Sequence, residues 1–132
     1  MKKMFVITLP IALLLASCVV PPVVPQQCVK LDPVACAPAA KITVTLANHG
    51  INPRNYCATA GQPIPVDVAP PNGQPGTVRF IPKNAANGWL QGVNSPNASG
   101  FVITPPNGTP PGEYEYYVVF SDGYCIDPRI TI

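Results

Sequence analysis

Five cysteines, one histidine and six carboxylate side chains are what this 132-residue chain offers for chemistry. The cysteines stand at 18, 28, 36, 57 and 125, and no two of them form a Cys-x-x-Cys pair. Zinc centres draw on several soft ligands at short, repeated spacing, so these thiols read as disulfide partners and no metal site is expected. An odd count leaves one thiol over, and four cysteines can pair in three ways. With Cys18 set aside, Cys28, Cys36, Cys57 and Cys125 make an even set. The short separation of Cys28 and Cys36 favours a local bridge between them, with Cys57–Cys125 as the long-range partner bridge.

Catalytic arrangements are hard to assemble from the remainder. A Ser-His-Asp triad could use only His49, and no Gly-x-Ser-x-Gly elbow is present. His49 falls in an early turn and reads as a solvated side chain. Thiol–imidazole catalysis needs a free cysteine, which disulfide pairing removes. Glu113 and Glu115 would share one face of a strand, which raises paired-carboxylate work of the kind carbohydrate-processing enzymes use. That spacing follows from the period of any strand, however, and Arg129 is placed to pair with Glu115. No phosphate loop or dinucleotide fingerprint occurs. Neither an enzyme nor a cofactor is expected. Trp89, within Asn87-Gly-Trp-Leu-Gln-Gly92, and Tyr117 are the candidate ligand contacts, because Trp and Tyr often anchor recognition surfaces. The competing expectation for Trp89 is that it covers one end of a small core.

Composition indicates what must position these residues. Nineteen prolines and ten glycines disfavour helices of ordinary length, and only 11% of residues are charged. Short β-branched runs between turn signals then predict an all-β domain. Lys2 and Lys3 precede any mature chain, which is left with six basic and six acidic residues. That balance gives no footprint for nucleic acid and no polybasic patch for anionic lipid.

The first block is a targeting segment. Met1-Lys-Lys-Met4 is cationic, and Phe5–Ala16 is an apolar run broken by Thr8 and Pro10. It is shorter than the roughly 17–25 residues that cross a bilayer as a helix and matches a secretory signal peptide. Leu15-Ala16-Ser17-Cys18 resembles the bacterial lipobox. The resemblance implies that residues 1–17 are removed, that the Cys18 thiol carries diacylglycerol, and that the new amino group takes a further acyl chain such as palmitate. It also accounts for the odd cysteine. Each buried methylene contributes about 0.8 kcal/mol, and two acyl chains already give stable attachment. Val19 stands where an inner-membrane retention signal would have Asp, so in a Gram-negative host the resemblance implies sorting to the outer membrane.

Residues 18–40 read as a proline-rich tether, with Pro21, Pro22, Pro25, Pro33 and Pro38 favouring extended polyproline II at about 3.1 Å per residue. Residues 41–132 read as the folded domain. Ile42, Val44 and Leu46 alternate in a first strand; Pro63–Val68 forms a second, whose prolines suggest a sheet edge. Thr77–Ile81 and Gly100–Thr104 follow, separated by a long irregular stretch from Asn84 to Asn97. The last hairpin joins Glu113–Phe120 to Tyr124–Ile132. A two-residue Asp-Gly turn would mix polar and apolar faces, whereas a three-residue Ser121-Asp122-Gly123 loop with left-handed Gly123 sorts them. Tyr114, Tyr116, Val118 and Phe120 then share a face with Ile130, Pro128, Ile126 and Tyr124. Glu115 falls opposite Arg129, and Tyr117 opposite Asp127.

Gly50-Ile-Asn-Pro-Arg-Asn-Tyr-Cys-Ala-Thr-Ala-Gly61 with Pro63–Val66 is similar to the opening of cupredoxin domains, and Pro111–Tyr116 with Asp127–Ile130 to their closing hairpin. The resemblance implies a small Greek-key sandwich, for which an immunoglobulin-like sandwich is the alternative. It would lay the Cys57 segment beside the final strand, within reach of Cys125. It does not imply copper: a type 1 site needs two His and one Cys, usually with an axial Met. This chain has only His49, and both methionines lie in the signal peptide.

The expectation is a membrane-anchored envelope lipoprotein whose β-sandwich binds or supports another envelope protein or a glycan. An enzyme using Glu113 and Glu115, or a surface adhesin, are the alternatives.

Overall fold

The computed structural model describes residues 27–70, 76–95 and 99–132. The signal segment, Cys18 and the first part of the tether lie outside the described residues. In chain order the strands are β1 Val29–Lys30, β2 Ile42–Thr45, β3 Gly50–Asn52, β4 Asn55–Cys57, β5 Ile64–Ala69 and β6 Val78–Pro82, then β7 Gly92–Val93, β8 Gly100–Ile103, β9 Glu113–Phe120, β10 Cys125–Asp127 and β11 Arg129–Thr131. A 3-10 helix, Ala85–Leu90, joins β6 to β7.

These strands make two mixed sheets around a single apolar core, an all-β sandwich. The long strand β9 is the spine of the larger sheet. One of its edges pairs with β6, which pairs in turn with β7. The other edge pairs with β10 and β11, two halves of one line of chain interrupted at Pro128. Beyond them run β1, parallel to β10, and β4, parallel to β11. The smaller sheet has the order β3-β2-β5-β8. Inward side chains interdigitate between the sheets: Ile42, Val44, Ile64 and Val66 from one side, Val78, Phe80, Tyr116 and Val118 from the other. Phe80 packs edge-on to Phe101, with ring centroids 4.9 Å apart, an arrangement that favours the ring quadrupoles.

The closing hairpin has the register expected from alternation. Phe120 N donates to Tyr124 O, Val118 pairs with Ile126 and Glu115 with Arg129, across a loop in which Gly123 has φ 89°. Tyr116, Val118, Phe120, Ile126, Pro128 and Ile130 are buried as that register requires. Tyr114 is only partly buried against the core, and Tyr124 departs from the core face at 40% exposed.

Strand β5 is not an edge. It lies between β2 and β8, and its prolines are accommodated by stagger. Val68 N donates to Ser99 O, so by alternation the Pro65 nitrogen faces the β2 side, where pairing begins only at Val66 opposite Ile42. The missing N–H of Pro65 therefore costs no ladder bond. Within the stretch expected to be irregular, residues 85–90 form the 3-10 helix, which the Asn84 side chain caps by accepting from Ala86 N at 3.0 Å. Asn94, 3% exposed, accepts from Val78 N and donates to Gly76 O.

The cysteine pairing differs from the expectation. The bridges are Cys28–Cys125 and Cys36–Cys57, not Cys28–Cys36 and Cys57–Cys125. Cys57 does lie beside the final strand, but at its far end: β4 runs parallel to β11 with Cys57 opposite Thr131. Six residues separate Thr131 from Cys125 along the chain, about 20 Å at roughly 3.3 Å per strand residue. A disulfide needs Cα atoms within about 7 Å. Cys28 reaches Cys125 because Val29 and Lys30 pair with Ile126 and Asp127. Cys36 reaches Cys57 because Ala37 bridges Tyr56. Part of the segment read as tether is thus integrated into the sandwich. Asn55, 2% exposed, donates to Val34 O and accepts from the Thr131 hydroxyl, closing this layer.

Candidate functional site

The outward face of the larger sheet gathers most of the charged and aromatic candidates. Alternation along β6 and β9 turns Arg79, Ile81, Tyr117 and Val119 away from the core, while Val78, Phe80, Tyr116 and Val118 enter it. Cross-strand register sorts these into rows. Val93, Arg79, Val119 and Cys125 form one row, and Ile81 stands beside Tyr117 in the next. The register also sets Tyr117 opposite Asp127, as expected.

Below these rows runs a chain of alternating charges. Arg129 Nη1 donates to Glu113 Oε2 at 3.0 Å, and its Nη2 lies 3.6 Å from Glu115 Oε1. Lys83 Nζ stands 3.7 Å from Glu115 and donates to Asp127 at 2.9 Å. The other Asp127 oxygen accepts from Leu31 N at 2.8 Å, tying the N-terminal segment into the network. Partial burial pulls the Lys83 ammonium down in pKa, but its bond to Asp127 and the charges of Asp127 and Glu115 outweigh this, and the net direction is up. The Lys83 ammonium also lies 5.2 Å from the centroid of the Tyr117 ring, a cation–π contact.

Glu113 and Glu115 therefore both belong to Arg129. A pocket holding both carboxylates free of Arg129 would suit paired-carboxylate chemistry, and here both lie against the same guanidinium. Tyr117 is half-buried beneath Lys83, so only part of its ring is available. Trp89 lies in the 3-10 helix, packed against the core cluster and edge-on to Tyr114 with centroids 5.6 Å apart. Trp89 and Tyr117 are not brought together into one site.

His49 is not a free turn side chain. It adopts φ 53°, stacks on Tyr124 with centroids 4.1 Å apart, and meets Asp122 Oδ2 at 2.6 Å. The Tyr124 N–H and the His49 ring hold the Asp122 carboxyl below its usual range. Among the described residues no three His, Cys, Asp or Glu side chains converge as metal ligands.

Sequence reasoning passed over Arg79. It is exposed, and it lines a groove of about 340 Å³ with Phe80, Ile81, Gln91, Gly92 and Val93. Nothing local marks it, because the groove needs the pairing of β6 with a two-residue strand that the composition does not announce. No protein-family model matches the chain, and no curated protein matches it.

Proposed function

We propose that this protein is a lipid-anchored component of the bacterial cell envelope, attached through Cys18, whose sandwich is a non-enzymatic binding or structural module for another envelope protein or glycan. The observation that carries the reading is the cysteine count. The four cysteines beyond Cys18 are consumed by Cys28–Cys125 and Cys36–Cys57, which leaves Cys18, at the end of a lipobox-like sequence, as the one thiol for another fate. Two disulfides also suit an oxidising compartment.

The binding side of the reading rests on chemistry withheld. The carboxylates Glu113 and Glu115 are engaged by Arg129, and His49 by Asp122. By contrast Val93 is 51% exposed and Val102 60% exposed on the sheet surfaces. Radiolabelled palmitate should enter the wild-type protein and not Cys18→Ala, and the variant should move to the soluble fraction. Equal labelling of both would overturn the anchor. Cross-linking in intact envelopes should capture a protein or glycan through the sandwich.

A further inference from the structure

We infer that the groove beside Arg79 is a binding site for a carboxylate carried on a small branched apolar group, as in an N-acylated valine or the last residue of a short peptide. The inference deepens the binding-module reading and rests on it.

Charge pairing isolates Arg79. Of the six acidic side chains, Asp67 is held by Lys41, Asp122 by His49, Glu113 and Glu115 by Arg129, and Asp127 by Lys83. Asp32, the sixth, pairs with no cation among the described residues. Among the described residues the Arg79 guanidinium likewise has no carboxylate partner, and Arg79 lines a groove. An exposed guanidinium offers a planar fork of N–H donors that matches a carboxylate in two parallel bonds.

The walls narrow the ligand class. Arg79 stands between Val93 and Val119 in its cross-strand row, and Ile81 follows on the same strand face. Gln91 is the other polar residue of the lining. A phosphate dianion is best held by several cations or a nest of N–H groups, whereas one guanidinium among aliphatic side chains suits a monoanion with an apolar body. The volume of about 340 Å³ is near the lower end of ligand pockets, roughly 300–1,000 Å³, so the ligand is small.

The test is a titration of the purified, detergent-solubilised full chain, labelled with ¹⁵N, using N-acetyl-valine, N-acetyl-valine amide and inorganic phosphate. N-acetyl-valine should give saturable shifts at Arg79, Gly92 and Val93. The amide should bind about tenfold more weakly or less, since it lacks the charge-assisted bonds. Arg79→Gln should lose the response while its hairpin resonances at Val118 and Ile126 stay in place, and Arg79→Lys should retain part of it. Equal binding of acid and amide, tighter binding of phosphate, an unchanged response in Arg79→Gln, or no saturation would each overturn the site. Envelope cross-linking that still captures a partner after such a failure leaves the wider binding reading standing, whereas capture of nothing overturns that reading.

Discussion

Cys28 is joined to Cys125 across 97 residues of sequence, one position before β1 begins its parallel run along β10. The segment that carries Cys28 is therefore locked to the closing hairpin, the strands that contribute most of the larger sheet's core.

Loss of that bridge should cost more than loss of the other. On chain-entropy grounds a closed loop of 97 residues stabilises by about 5 kcal/mol and one of 21 residues by about 3 kcal/mol. Urea unfolding of the Cys28→Ser/Cys125→Ser and Cys36→Ser/Cys57→Ser double variants should rank them in that order. Proteolytic fragments mapped without reduction should link 28 to 125 and 36 to 57; a 28–36 linkage would contradict the fold.

The Arg129 arrangement predicts small and coupled effects. Glu113 and Glu115 are about half exposed, at 55% and 46%, where a salt bridge contributes roughly 0.2–1 kcal/mol. Glu113→Gln and Glu115→Gln should each cost no more than about 1 kcal/mol, and added salt should shrink the difference from wild type. A double-mutant cycle between Glu115 and Arg129 should return a favourable coupling. Zero coupling would mean that the two side chains only share space.

What could be read from the sequence follows the range of the interactions. The hairpin was legible because alternation on Tyr114–Phe120 and a glycine at 123 fix its register within twenty residues of chain. Likewise Ile42 and Val44 announced a buried strand face. The N-terminal staple was not legible, because β1 has two residues and gains its position only from pairing with β10, almost a whole chain away. Proximity in sequence favoured Cys28–Cys36, but the two parallel pairings with β10 and β4 separate those thiols. Pro65 misled for a related reason: a proline marks a missing ladder bond, and only the stagger of β2 against β5 shows that no bond is due there. The Arg79 groove belongs to the same class, since β7 is as short as β1.

Asp122 should give the protein an acid-sensitive component. Its carboxyl is held below the ordinary value of 3.8, first by the Tyr124 N–H and then by His49. A carboxyl with a depressed folded-state pKa contributes stability above its unfolded pKa, and that contribution is lost as pH falls through the folded value. Urea midpoints should therefore drop below about pH 4 in the wild type, and Asp122→Asn should lack this part of the drop. The His49–Tyr124 stack should survive in the variant, visible as unchanged ring shifts at neutral pH. Identical acid profiles for both proteins would dismiss the contact as energetically empty.

Tyr116 carries a buried polar atom that has no partner among the described residues. Its ring is fully buried between the sheets, 4.8 Å from Phe80 between centroids, and its hydroxyl makes no hydrogen bond among the described residues. Burial drives its pKa far above the ordinary tyrosine value, so the group stays neutral at all working pH. An unpaired hydroxyl in an apolar site costs roughly 1–3 kcal/mol. Tyr116→Phe removes that group while keeping the ring, so it should stabilise the protein by about 1 kcal/mol. Tyr116→Ala should instead destabilise it by about 3–5 kcal/mol through the cavity left behind. The thermal midpoint of the two variants against wild type reads both effects. A clear loss of stability in Tyr116→Phe would show that the hydroxyl has a partner in solution, and the packing around β9 would have to be redrawn.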